Sequence, residues 1–194
     1  EQIGDEALLI VGLQGGYIEV TSEIVNDHTA RLQISPMHVT PYWAYGKNVR
    51  IPSLQEIKEE IDGYLEEHVR ECLFSMEAFQ ETYDLIEKSD LTANTEIVPS
   101  KVIFNLRWDV EIRSKSGEII TEVIDHLAES PVKLKDVYTV ARVIVEKELE
   151  TLKVEDITQD LIALEHPDVP VAGIELSCSK KKWDVETVRN ALLE

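Results

Sequence analysis

Between Phe104 and Arg113 the chain alternates without interruption. Phe104, Leu106, Trp108, Val110 and Ile112 are apolar, and Asn105, Arg107, Asp109, Glu111 and Arg113 are polar or charged. A period of two puts like residues on one face only in extended backbone. The stretch, with Val102 ahead of it, therefore predicts a strand with one face on a core and the other in water. Ser114-Lys115-Ser116-Gly117 is turn chemistry, and Glu118 to Leu127 predicts the antiparallel return. Thr95 to Val98 predicts an edge strand.

On either side of this region the period is that of a helix. Leu54, Ile57, Ile61, Leu65, Val69 and Cys72 form one stripe, with Glu and Lys opposite, which predicts a long amphipathic helix over Ser53 to Leu73. Ser53 and Glu56 match the S-x-x-E capping box that satisfies free amides of a first turn. Leu134, Val137, Ala141, Ile144, Val145 and Leu152 predict a second over Lys133 to Leu152. Ile3, Ala7, Leu8 and Val11 predict a helix closed by Gly15-Gly16. Phe79, Tyr83 and Ile86 predict another over Ser75 to Lys88. Tyr17 to Val20 reads as a short strand, and Met37 to Tyr45 as an extended, aromatic-bearing segment ended by a turn at Gly46. Glu155 to Leu164 predicts a short helix, Asp168 to Cys178 a last strand, and Asp184 caps a final helix. The order is that of an α+β fold, an antiparallel sheet with long amphipathic helices packed on one face. Residues 1–194 read as one such domain, with a possible subdivision near 90–95.

Charge narrows the function. Lys and Arg number 19 against 38 Asp and Glu, a formal net charge of −19. Such a surface repels phosphate backbones and anionic headgroups, so no nucleic-acid partner is expected. The only basic run is Lys180-Lys181-Lys182. No stretch is apolar for long enough to cross a bilayer. The chain starts at Glu1 without Met and stops at Glu194 inside a helical pattern, so it reads as a fragment of a longer protein.

Catalytic signatures are scarce. The sequence holds no G-x-S-x-G, Walker loop, G-x-G-x-x-G, H-E-x-x-H or EF-hand pattern. Neither a cofactor nor a metal is expected, and an enzyme is disfavoured. None of His28, His38, His68, His126 and His166 lies four residues from another. His126 beside Asp125 is a weak acid–base hint. Glu59-Glu60, Glu66-Glu67 and Glu146 with Glu148 sit on predicted helix faces, where solvated surface is the ordinary outcome. Pro41-Tyr42-Trp43-Ala44-Tyr45 gathers three aromatics in five residues. It reads either as a flap packed over the core or as a recognition surface built on Tyr42, Trp43 and Tyr45, rings that give large contact area at low entropic cost. Cys72 and Cys178 each fall on an apolar face, so both are expected to point inward. One disulfide, two buried thiols and a reactive cysteine remain open, the last lacking an electropositive setting.

Gln14-Gly15-Gly16-Tyr17-Ile18, Pro41-Tyr42-Trp43 with Tyr45-Gly46 and Asn48, Ile51-Pro52-Ser53-Leu54, Glu56-Ile57, Tyr64-Leu65, Glu71-Cys72-Leu73, Ser177-Cys178 and Trp183 together form a pattern. It resembles a family of uncharacterised archaeal proteins that carry one N-terminal transmembrane helix and an exported ectodomain. The resemblance implies a membrane anchor ahead of Glu1, a position at the cell surface, and no particular reaction. In an oxidising compartment it favours a Cys72–Cys178 disulfide. The expectation is a non-enzymatic cell-surface ectodomain that binds or scaffolds a protein partner or builds a surface assembly. The alternative is an exported hydrolase using paired carboxylates.

Overall fold

The structure, a computed structural model, describes residues 1–35, 38–74 and 77–157. The chain divides into two compact units, Glu1–Arg142 and Val143–Glu194. Residues 90–95 lie within the first, at the end of a loop and the start of the strand that follows it.

The fold is α+β. The first unit is built on a four-stranded antiparallel sheet of β5 (Tyr83–Glu87), β6 (Thr92–Val98), β7 (Lys101–Ser114) and β8 (Ile119–Ser130). The fourteen-residue β7 is its spine. β8 runs along one side of it, while β6 and β5 lie end to end along the other, against its first and second halves. Alternation places Val102, Phe104, Trp108 and Val110 in the buried face as expected; Phe104 is 1% exposed and Trp108 3%. The polar face departs from the pattern at Glu111, which is 2% exposed and held between Lys88 and Arg113. A buried carboxylate needs such partners, and period-two reasoning does not reveal them.

Helices α1 (Gln2–Leu13) and α3 (Leu54–Phe74) cover that buried face. Ala7, Leu8 and Val11 of α1 meet Ile57, Ile61 and Leu65 of α3 over Val102 and Phe104, with Tyr138 of α5 (Leu134–Thr151) completing the cluster. The capping box forms as read: the Ser53 amide donates to Glu56 Oε2 at 2.6 Å and the Glu56 amide to Ser53 Oγ at 3.1 Å. The Ser53 amide, then its hydroxyl, hold the Glu56 carboxyl below its ordinary range. Gly15 and Gly16 end α1 with positive φ of 64° and 102°, and the Gly16 amide returns to the Val11 carbonyl at 2.8 Å, a Schellman closure.

Three expectations are corrected. The helix expected over Ser75 to Lys88 is α4 (Glu77–Thr82) only, because Tyr83 to Glu87 pair with β7 as strand β5. Open hydrogen-bonding positions along β7 outweigh a local helical spacing. Tyr17 to Val20 is not a strand. The Ile18 and Glu19 amides donate instead to Glu60 Oε2 of α3, at 3.0 and 2.9 Å. On α5 the inward residues of the first unit are Leu134 and Tyr138, whereas Val137 is 64% exposed. The stretch from 22 to 34, without a pattern in the sequence, holds α2 (Ser22–Asn26) and most of β1 (Arg31–Ser35), which pairs with β2 (His38–Pro41).

In the second unit α5 runs on to Thr151, Leu152 takes a positive φ of 50°, and the chain is helical again over residues 153–157. The rest of the helix expected to Leu164, the strand Asp168 to Cys178 and the helix capped by Asp184 fall outside the described residues.

Candidate functional site

The aromatic segment divides into an anchor and a platform. Thr40 Oγ1 donates to the Leu13 carbonyl at 3.1 Å, and the Tyr42 amide to the Ala30 carbonyl at 2.8 Å, fixing the chain as it enters the segment. Trp43 turns inward. Its Nε1 donates to the Gly15 carbonyl at 2.6 Å, and its ring meets Tyr138 at 5.9 Å between centroids, tilted by 58°. The Gly15 turn that ends α1 is thus also the acceptor that seats Trp43.

Tyr42 and Tyr45 turn the other way and stack on each other, 5.9 Å apart and 20° from parallel. Tyr45 is 51% exposed. It stands on β3 (Ala44–Tyr45), paired antiparallel with β4 (Asn48–Val49). Gly46, with φ of 57°, makes the turn between them. The Arg50 amide closes the hairpin on the Trp43 carbonyl at 2.7 Å, and the Tyr17 hydroxyl donates to the Arg50 carbonyl at 3.2 Å. Burial, then Glu56 and Glu60, raise the Tyr17 hydroxyl above its ordinary value, which keeps it protonated as that donor. The three rings expected to act together therefore split: Trp43 packs against the core, and Tyr42 with Tyr45 form an outward stack on a fixed hairpin.

The acidic residues of α3 are largely occupied by the backbone. Besides Glu60, Asp62 Oδ1 accepts the Thr95 amide at 2.6 Å and Glu66 Oε1 accepts the Ala93 amide at 2.9 Å. These are amides on the side of β6 away from β7, so helix carboxylates satisfy a sheet edge. Glu60 and Glu66, expected as solvated surface, hold other elements in place. Acidic residues spaced along a helix that packs beside an edge strand are a signal the sequence offers only once the packing is known.

Paired carboxylates meet on the opposite face of the sheet. Asp109 hydrogen-bonds Glu122, and burial together with that bond raises the Asp109 carboxyl above its ordinary range. Lys88 bridges to both Glu111 and, at 3.1 Å, Glu122. The Asp109–Glu122 contact is direct, closer than the 5–10 Å spacing of glycosidase carboxylates.

The remaining candidates do not converge. His126 and Asp125 are neighbours on one strand and so point to opposite faces of the sheet, opposite Leu106 and Arg107 respectively. His68 stacks on Tyr64 at 3.9 Å and its Nδ1 lies 3.0 Å from the Tyr64 carbonyl. Cys72 is exposed rather than buried, because the stripe of α3 is covered over Ile57, Ile61 and Leu65 and opens beyond them. Cys178 lies outside the described residues, so its pairing with Cys72 rests on the sequence alone. Among the described residues no three His, Cys, Asp or Glu side chains are grouped to hold a metal ion, and no helix is long and apolar enough to cross a membrane.

Comparison of the chain with protein-family models, curated proteins and solved structures finds no match.

Proposed function

We propose that the chain is the outer part of a cell-surface protein, without enzymatic activity, that binds a protein partner through Tyr42 and Tyr45. The observation that carries the binding role is the fastening of the two rings. They stack on a hairpin fixed by Trp43, which lies between them in the chain, is bonded to Gly15 and packs on Tyr138. Aromatic anchors that are already rigid lose little entropy on binding, which is what makes Tyr and Trp effective at interface centres. The cell-surface location, the anchor ahead of Glu1 and the Cys72–Cys178 disulfide rest on the resemblance to the archaeal family.

Lys47 stands at the tip of the same hairpin, exposed and two residues from Tyr45. Amine-reactive cross-linking of intact native cells is expected to join Lys47 to a lysine of a second polypeptide. Lys47 links confined to its own chain would contradict the reading.

The second reading, an exported hydrolase using paired carboxylates, is favoured by the raised Asp109 carboxyl beside Glu122. Against it, Glu122 is exposed and paired with Lys88 on an open sheet face, where water is not excluded from the reacting groups.

A further inference from the structure

The sheet stays apolar beyond the point where the helices fill it. Over Val102 and Phe104 the side chains of α1 and α3 close the core. Further along β7, Trp108 and Asp109 together oppose the single residue Ile124 of β8, a bulge that bends and twists the strand. Past it the described side chains leave an apolar cavity of about 290 Å³, open to solvent on one side, between the C-terminal half of α3 and the second half of the sheet. Val69 and Leu73 form its roof, Leu85, Trp108 and Val110 its floor, and Val123 of β8 one wall. Cys72 and His126, both exposed, are its polar lining.

Apolar surface left in a recess of this kind favours an apolar occupant over water, and an apolar void of about 150 Å³ already accepts benzene. We propose that this cavity is a binding site for an uncharged hydrocarbon chain of about ten carbons. The length follows from the volume, about twice that of the void of about 150 Å³ that takes up the six carbons of benzene. The lack of charge follows from the lining. Among the described residues it holds no lysine or arginine to meet an anionic head. The nearby Arg70 is already engaged by Glu87, at 2.7 and 2.8 Å, and the chain as a whole carries −19. The site is separate from the Tyr42–Tyr45 stack, so it stands if binding of a protein partner through those rings fails.

Trp108 supplies the reporter. A bromine in contact with an indole quenches its fluorescence, so 10-bromodecan-1-ol titrated into the purified full chain tests the site. Saturable quenching is expected. It should be lost in Trp108→Phe, which keeps Trp43 and Trp183, and should need at least tenfold more ligand in Val123→Phe, whose larger ring fills the cavity. Leu85→Phe fills it from the floor and serves if Val123→Phe does not fold. Decanoate should compete at least tenfold more weakly than decan-1-ol. Absence of saturable quenching, quenching that survives Trp108→Phe, or affinity unchanged by a folded filling variant would each overturn the proposal.

Discussion

Trp43 donates its indole N–H to the carbonyl of Gly15 at 2.6 Å, joining the aromatic hairpin to the turn that ends α1. The two residues are distant in sequence, and each has a separate reason for its place. Gly15 supplies the positive φ that closes the helix, and Trp43 supplies a donor with a flat apolar body that packs on Tyr138.

Removing that donor while keeping a ring should loosen the hairpin. Trp43→Phe leaves the half-buried Gly15 carbonyl without its bond and is expected to destabilise the protein by about 1–3 kcal/mol in urea unfolding. A variant as stable as the parent would show that the bond does not hold the segment.

Two glycines of α1 should respond in opposite directions. A Cβ on Gly4 would lie 2.5 Å from Cε2 of Phe104, a ring 1% exposed and without room to retreat. Gly12 has nothing within 4 Å of the same position. Gly4→Ala should lose about 1–3 kcal/mol by overpacking. Gly12→Ala should gain up to about 1 kcal/mol from helix propensity. Denaturant melts of the pair decide the matter, and equal effects would refute the close approach of α1 to β7.

The carboxylates beneath Lys88 should give the protein opposing pH responses. Lys88, then Arg113, lower the Glu111 carboxyl, so its stabilisation is full above its unfolded pKa and is lost as pH falls through the folded one. Burial and Glu122 raise the Asp109 carboxyl, so its favourable state is the protonated one, lost as pH rises through its folded pKa. Near neutral pH, Glu111→Gln should lower the melting temperature and Asp109→Asn should raise it. The Asp109→Asn gain should vanish in acid, where the parent Asp109 carboxyl is protonated, and the Glu111→Gln loss should shrink only as pH falls through the lowered folded pKa of Glu111. A melting temperature that falls in Asp109→Asn near pH 7 would mean that the charged form is the one the fold favours.

The sheet spine was legible because alternation from Phe104 to Arg113 has one extended solution, and α3 because its stripe and its Ser53–Glu56 box agree. Strand β5 was not, since Phe79, Tyr83 and Ile86 suit a helix and only pairing with β7 decides otherwise. Tyr17 to Val20 failed for a related reason: its amides are taken by Glu60, some forty residues away in the chain. In the candidate site the sequence showed that three aromatics cluster but not that they divide, because the partner that turns Trp43 inward is a backbone carbonyl at Gly15. The cavity beside Trp108 depends on a bulge opposite Ile124, which leaves no mark on the period of either strand.

Binding through the Tyr42–Tyr45 stack can be measured with a photoreactive benzoylphenylalanine in place of Lys47, at the hairpin tip and outside the stack itself. Irradiated on native cells, the full-length protein should give one discrete cross-linked product containing a second polypeptide. Its yield should fall at least tenfold when Tyr42 and Tyr45 are both alanine, in a variant shown to melt like the parent. A product formed equally well without the two rings, or no product, would contradict the account.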